Sequence, residues 1–172
     1  MKHIKRALII FTVLILGLSC QSKENIVTVE EAKALCKKVE IMYNDADTET
    51  ANEILDSSYV IYSPIFPMGA RGIDVLMYNI KSNSRSFPDF ALTIDSFFVK
   101  DDNIYSFWTK KGTNTGPLGR MPTTGKAINY SGFSIYKVKN GKIIEEHNYW
   151  NVLEFYTQLG FQIRPPEFEE NK

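Results

Sequence analysis

Between Phe90 and Tyr149 the chain reads as four long strands in two pairs, and no other stretch restricts the fold as much. Residues 90–100, 103–115, 127–139 and 142–149 are rich in β-branched and aromatic side chains and are bounded by turn residues. The last two are joined by Asn140-Gly141, a two-residue turn whose positions both need positive φ, and the first two by Asp101-Asp102. Strands linked this tightly must run antiparallel. Between the pairs, residues 116–126 hold three glycines and two prolines, a segment too long for a tight turn and suited to covering a cavity mouth.

The first half is helical in pattern. Thr28 is placed to cap a helix, with Glu31 three residues on completing a capping box. Ala32, Leu35, Cys36, Val39 and Met42 or Tyr43 then recur at three- and four-residue spacing. A short helix over Thr48 to Leu55, a strand over Tyr59 to Ser63, a loop from Pro64 to Gly72 and a helix over Ile73 to Ser84 follow. Past the strands, Val152 to Leu159 reads as a short helix capped by Asn151 and stopped by Gly160. Helices first and a curled antiparallel sheet second is an α+β arrangement.

A chain of 172 residues is one domain on the usual prior, and 44% hydrophobic against 23% charged residues excludes disorder for the bulk of it. Twenty basic and twenty acidic residues leave no positive field to recruit phosphate, so nucleic acid is not an expected partner. Aromatic residues reach 13%, more than a small core strictly needs, which suggests an aromatic-lined cavity. No Gly-x-Ser-x-Gly elbow, Walker loop or dinucleotide fingerprint occurs in the folded part, so no cofactor is expected. Two histidines, one of them His3, are too few for a zinc site, and no metal is expected.

The first twenty residues read as a processing signal. Lys2, Lys5 and Arg6 precede an apolar run from Ala7 to Leu16 that is short for a membrane span. Gly17-Leu18-Ser19-Cys20 resembles the lipobox of bacterial lipoproteins, with Gly17 where that motif usually has Leu. This divides the chain into a signal peptide at 1–19, a tether at 20–27, a folded domain at 28–163 and an acidic tail at 164–172. It implies lipid on Cys20 and residence in the bacterial cell envelope, outside the cytoplasm. Removing the three leader cations from twenty leaves 17 basic against 20 acidic residues, a mildly acidic mature protein. Cys36 is then the only thiol without lipid, and on the apolar side of its helix it reads as a small buried hydrophobe.

The order of Phe87-Pro88-Asp89-Phe90, Trp108-Thr109, Gly112 to Gly116 and Pro122 to Lys126 resembles the SnoaL-like polyketide cyclase and ester cyclase family. Gly132 to Tyr136, Asn140 to Ile143, Glu145-Glu146, Trp150 and Gln158-Leu159-Gly160 continue the likeness, which spans about Val29 to Phe161. The resemblance implies a cone of the nuclear transport factor 2 type, in which a curved antiparallel sheet wraps around the N-terminal helices and leaves an internal apolar pocket. In the family's polyketide cyclases an aspartate near the end of the last strand is general acid/base for an intramolecular aldol closure. The family's common ending is Glu-Glu-Trp-Asp-x-Trp-Asp. Here residues 145–151 read Glu-Glu-His-Asn-Tyr-Trp-Asn, so Asn148 and Asn151 stand where aspartates are expected, and an amide does not exchange protons as a carboxylate does.

Two other groups are candidate catalysts. His147 is the only histidine outside the leader and titrates near neutrality; Asp95 lies inside a strand, where an apolar setting would raise its pKa. Strand alternation sets His147, Tyr149 and Asn151 on one face and Asn148 and Trp150 on the other, and leaves open which face meets the pocket. Tyr62, Trp108, Tyr130, Asn148, Trp150 and Asn151 are the candidate ligand-binding residues, within a wider aromatic set that includes Tyr43 and Tyr136. The favoured expectation is a lipid-anchored domain that binds a small hydrophobic molecule without cyclase chemistry. The alternative is an acid/base enzyme of cyclase, isomerase or hydrolase type acting on a small hydrophobic carbonyl compound. Folds of this type commonly pair through the outer sheet face, and Phe107, Phe133 and Ile135 would suit a homodimer. For the anchor, Cys20→Ala should move the protein from the membrane to the soluble fraction on cell fractionation. Undiminished membrane binding of that variant would show another anchor.

Overall fold

The computed structural model describes residues 26–162 and Arg164. The leader, the lipid-bearing Cys20, most of the tether and nearly all of the acidic tail lie outside the described residues. Four helices and six strands follow in the order α1 (Val29–Asn44), α2 (Thr48–Ile54), β1 (Leu55–Ser63), β2 (Phe66–Arg71), α3 (Ile73–Ser86), β3 (Ala91–Lys100), β4 (Asn103–Thr113), β5 (Ala127–Lys139), β6 (Lys142–Trp150) and α4 (Val152–Gln158). The strands make one sheet in the order β2-β1-β6-β5-β4-β3. All neighbours are antiparallel except β1 and β6, which run parallel. The sheet curls around α1 and α3 to form the α+β cone expected from the sequence.

Local chemistry accounts for the elements. Thr28 Oγ1 accepts from the Glu31 amide at 3.2 Å and the Thr28 amide donates to Glu31 Oε2 at 2.9 Å, the reciprocal pair of a capping box. Both hairpin turns use left-handed residues, with φ of 56° at Asp101, 52° at Asn140 and 76° at Gly141. The apolar stripe of α1, from Ala32 to Tyr43, is buried against the sheet. Cys36 lies in that stripe, and burial, then the charge of Glu40, pushes its thiol up to about 12, which leaves it inert at neutral pH.

One strand escapes the sequence reading. The expected loop from Pro64 to Gly72 holds β2, because Pro67 and Gly69 break the alternation that marks a strand, yet both are tolerated at a sheet edge. Strand β1 also begins at Leu55 rather than Tyr59, since the polar run Asp56-Ser57-Ser58 conceals it. The opposite edge, β3, is covered by α1. Asn44 Nδ2 donates to the Leu92 carbonyl at 3.0 Å and its Oδ1 accepts from the Leu92 amide at 2.7 Å, while Glu40 Oε1 accepts from the Ile94 amide at 2.8 Å. These side chains satisfy backbone groups that an uncovered edge would leave open for pairing.

In the sheet register Gly132 of β5 lies between Trp108 of β4 and Trp150 of β6. A Cβ at Gly132 would run into the Trp108 indole and the Tyr149 carbonyl, so only glycine lets the indole lie across the strand. Helix α4 inserts Phe155 among Phe87, Tyr130 and Trp150. Gln158 fastens that helix to β5, accepting from the Asn129 amide at 2.6 Å and donating to its carbonyl at 2.9 Å.

Candidate functional site

The inner face of the sheet encloses a cavity of about 180 Å³ that opens to solvent beside α3. Its floor comes from alternate positions of the central strands: Lys110 of β4, Ile128 and Tyr130 of β5, Asn148 and Trp150 of β6. Tyr43 of α1, Leu76, Asn79 and Asn83 of α3, and Phe155 and Tyr156 of α4 close its sides. The loop between β4 and β5 contributes Leu118 at the mouth. That loop is held by buried Asn114, whose Nδ2 donates to the Ser86 and Gly116 carbonyls and whose Oδ1 accepts from the Thr124 amide.

Beneath the floor lies a buried carboxylate. Glu146 is 2% exposed, and its Oε2 accepts from the Tyr59 hydroxyl at 2.7 Å. Its Oε1 accepts from Asn148 Nδ2 at 3.0 Å and from Ser134 Oγ at 3.2 Å. Ser134 Oγ in turn accepts from Trp108 Nε1 at 3.1 Å, so the acid joins β1, β4, β5 and β6. A carboxylate out of water is tolerated only with its lone pairs engaged, and here three donors engage them. Burial, then the Glu146 charge, raises the phenols of Tyr43, Tyr59 and Tyr136 far above their ordinary value, so all three remain protonated.

Lys110 is the other charged group on this face, and it is 8% exposed. Its Nζ lies 4.4 Å from the Trp108 ring centroid and 4.8 Å from that of Tyr43. Such cation–π contacts compensate part of the lost hydration. Burial lowers the ammonium to about 8, against the opposing pull of Glu146.

Of the residues expected from sequence to bind a ligand, Tyr130, Asn148 and Trp150 line the cavity. Trp108 is fully buried below it, edge-on to Tyr130 at 6.0 Å between ring centres. Tyr62 points outward and stacks on His147 at 4.8 Å. Asn151 caps α4 through the Glu154 amide at 3.1 Å. His147 lies on the outer face with its Nε2 2.8 Å from Glu145 Oε1, and exposed Asp95 accepts from Thr109 Oγ1 at 2.8 Å. The face left open by strand alternation is settled: Glu146, Asn148 and Trp150 point inward, His147 and Tyr149 outward. Lys110 escaped the sequence reading because a strand lysine ordinarily marks a solvated face. The available signal was its alternation with Ile104, Ser106 and Trp108, all of them buried.

Glu146 makes the first test. Replacing it with Leu leaves three buried donors without an acceptor, at about 1 kcal/mol each, so Glu146→Leu should lower unfolding stability by roughly 3 kcal/mol in urea melts. Glu145→Leu, on the outer face, should stay within about 0.5 kcal/mol of the parent. Equal stability of both variants would contradict the network.

The profile of the SnoaL-like polyketide cyclase family matches residues 33–159. No curated protein sequence matches this chain. Among solved structures it is similar to TsrD from Streptomyces laurentii, with 22% identity, a TM-score of 0.70, and 78% of this chain and 98% of that one covered. IdmH from Streptomyces antibioticus aligns at 20% identity and a TM-score of 0.66, over 76% of this chain and 99% of its own. An LEH-like epoxide hydrolase from M. tuberculosis aligns at 15% identity and a TM-score of 0.59, over 76% and 90%. At these identities the structures share the fold and do not carry a reaction with it. With its profile match spanning most of the cone, the chain belongs to the SnoaL-like polyketide cyclase family.

Proposed function

We propose that this chain is a binding domain for a small, mostly apolar molecule bearing one carbonyl or carboxylate group. We propose further that lipid on Cys20 holds it in the bacterial cell envelope, and that it lacks the aldol chemistry of the family's cyclases. The chemical inventory of the cavity wall carries this reading. Lys110 is the only charged side chain among the described lining residues, and the rest are apolar, aromatic or neutral polar. A site of that kind orients one oxygen-bearing group and excludes water around the remainder. The strand position at which the family resemblance expects a catalytic aspartate is Asn148, and its Nδ2 is already bonded to Glu146.

Size supports the same conclusion. A cavity of about 150 Å³ accepts benzene, so about 180 Å³ suits a one-ring ligand with a short substituent better than a polycyclic one. The enzyme alternative draws its support from Lys110, since an ammonium lowered to about 8 exchanges protons near neutrality.

Titrating Trp108 and Trp150 fluorescence with benzoate should show saturable binding and a raised melting temperature. Lys110→Met should weaken that binding about tenfold or more, the usual worth of a charge-assisted hydrogen bond. No response to any one-ring acid or ketone would refute the binding reading. Turnover of an activated ester or diketone, lost about a hundredfold in Lys110→Met, would replace it with the enzyme alternative.

Pairing belongs to the same proposal. On the outer face Phe98, Phe107, Phe133 and Tyr149 form a run of ring contacts across four adjacent strands, at 6.4, 6.2 and 4.7 Å between centroids. All four are exposed, an apolar strip that a second copy would cover. Sedimentation of the chain without its first twenty residues should give a dimer that Phe107→Lys with Phe133→Lys splits. A monomeric parent at tens of micromolar, a concentration ordinary for weak interfaces, would refute pairing.

A further inference from the structure

We infer that Lys110 captures small aldehydes or ketones as a reversible imine inside the cavity, a step that rests on the binding reading above and gives it a ligand class. Three features of the site support it. Lys110 lines an open cavity together with Tyr43, over whose ring its Nζ lies. No hydrogen bond or ion pair to Lys110 occurs among the described residues; its Nζ is held only over the rings of Trp108 and Tyr43. A lysine buried for structure alone is normally paired with a carboxylate. The one buried acid nearby, Glu146, has its oxygens engaged by Tyr59, Ser134 and Asn148.

Imine formation needs a neutral amine, and an apolar pocket supplies one by penalising the cation. With the ammonium lowered to about 8, roughly one Lys110 in ten is neutral at pH 7, whereas an exposed lysine is neutral less than about once in a thousand. The titratable groups facing it are Tyr43 from α1, Tyr130 from β5 and Glu146 from β6. Burial keeps both phenols protonated, so at neutral pH Glu146 alone among them opposes the lowering.

The chemistry balances without a co-reactant. The nitrogen lone pair attacks the carbonyl carbon, a C–N bond forms, and the carbonyl π electrons move to oxygen. A proton passes from nitrogen to that oxygen to give a carbinolamine. The C–O bond then breaks, and the oxygen leaves as water with both protons that the amine carried. Water entering through the mouth reverses the sequence, so capture is reversible. When the imine is protonated, its positive charge occupies the place of the ammonium over Trp108 and Tyr43.

The full chain is incubated with benzaldehyde and cyanoborohydride, which reduces the imine to a stable secondary amine, and labelled lysines are mapped by peptide mass spectrometry. Lys110 should gain one benzyl group about tenfold faster or more than any other lysine at neutral pH. Lys110→Arg, which keeps the charge, should lose that label, and the parent should respond to benzyl alcohol in tryptophan fluorescence. Benzyl alcohol has no carbonyl and reports the cavity alone. Labelling of Lys110 no faster than surface lysines, with the benzyl alcohol response intact, would overturn the imine and leave the binding reading standing. Absence of any response to benzyl alcohol, benzoate or benzaldehyde would overturn both.

Discussion

A buried carboxylate must be neutralised by its surroundings, and in this cone the solution adopted by Glu146 organises the inner face. Tyr59, Ser134 and Asn148 each direct a donor at it from a different strand, and Trp108 joins through Ser134. This arrangement fixes which face of β6 is internal and thereby places Asn148 and Trp150 in the cavity floor. It also places a negative charge behind the floor, which pulls Lys110 toward its charged form while burial pushes the other way. The strength of a hydrogen bond to an ionised acceptor in such surroundings explains why the neutral donors of Tyr59, Ser134 and Asn148, rather than a cation, satisfy the acid.

The same constraint shapes the functional reading. An acid held by three donors is a structural element, and Asn148 spends its amide on that acid. What lines the cavity for a ligand is one lysine, a set of ring faces and neutral polar groups that include Asn79, Asn83 and the Asn148 Oδ1, unpartnered among the described residues. Where the family's cyclases are expected to carry an aspartate this cavity has Asn148, and its one titratable cation is Lys110. The family supplies the hollow, and the residues in it decide what the hollow does.

Much of the architecture was legible because its signals are local. The capping box at Thr28, the Asn140-Gly141 turn, the Asn151 cap and the alternation along β5 each act within a few residues. Strand β2 was hidden because edge strands tolerate Pro67 and Gly69, and the parallel pairing of β1 with β6 joins residues 85 or more apart, such as Val60 and Glu145. The site was less legible for a related reason. His147 and Asp95 stood out as scarce or unusual residues, yet the outer or inner sense of a strand depends on the whole sheet. Strand alternation alone could not say that Lys110, an ordinary residue type on solvated strands, faces inward beside Trp108. Glu146 is one of two adjacent glutamates in the sequence, and only the register with β1 and β5 separates its buried position from that of Glu145.

Titration of the Lys110 side-chain nitrogen by NMR distinguishes a desolvated lysine facing the cavity from one that stands in water. With lysines labelled at Nζ and Lys110 assigned by its loss in Lys110→Arg, a midpoint near 8 is expected for this residue while the exposed lysines titrate near their ordinary value. Binding of benzoate should move the midpoint upward, because an anion in the cavity favours the ammonium. A Lys110 midpoint above about 10, unmoved by benzoate, would mean that the side chain stands in water and that no such hollow surrounds it.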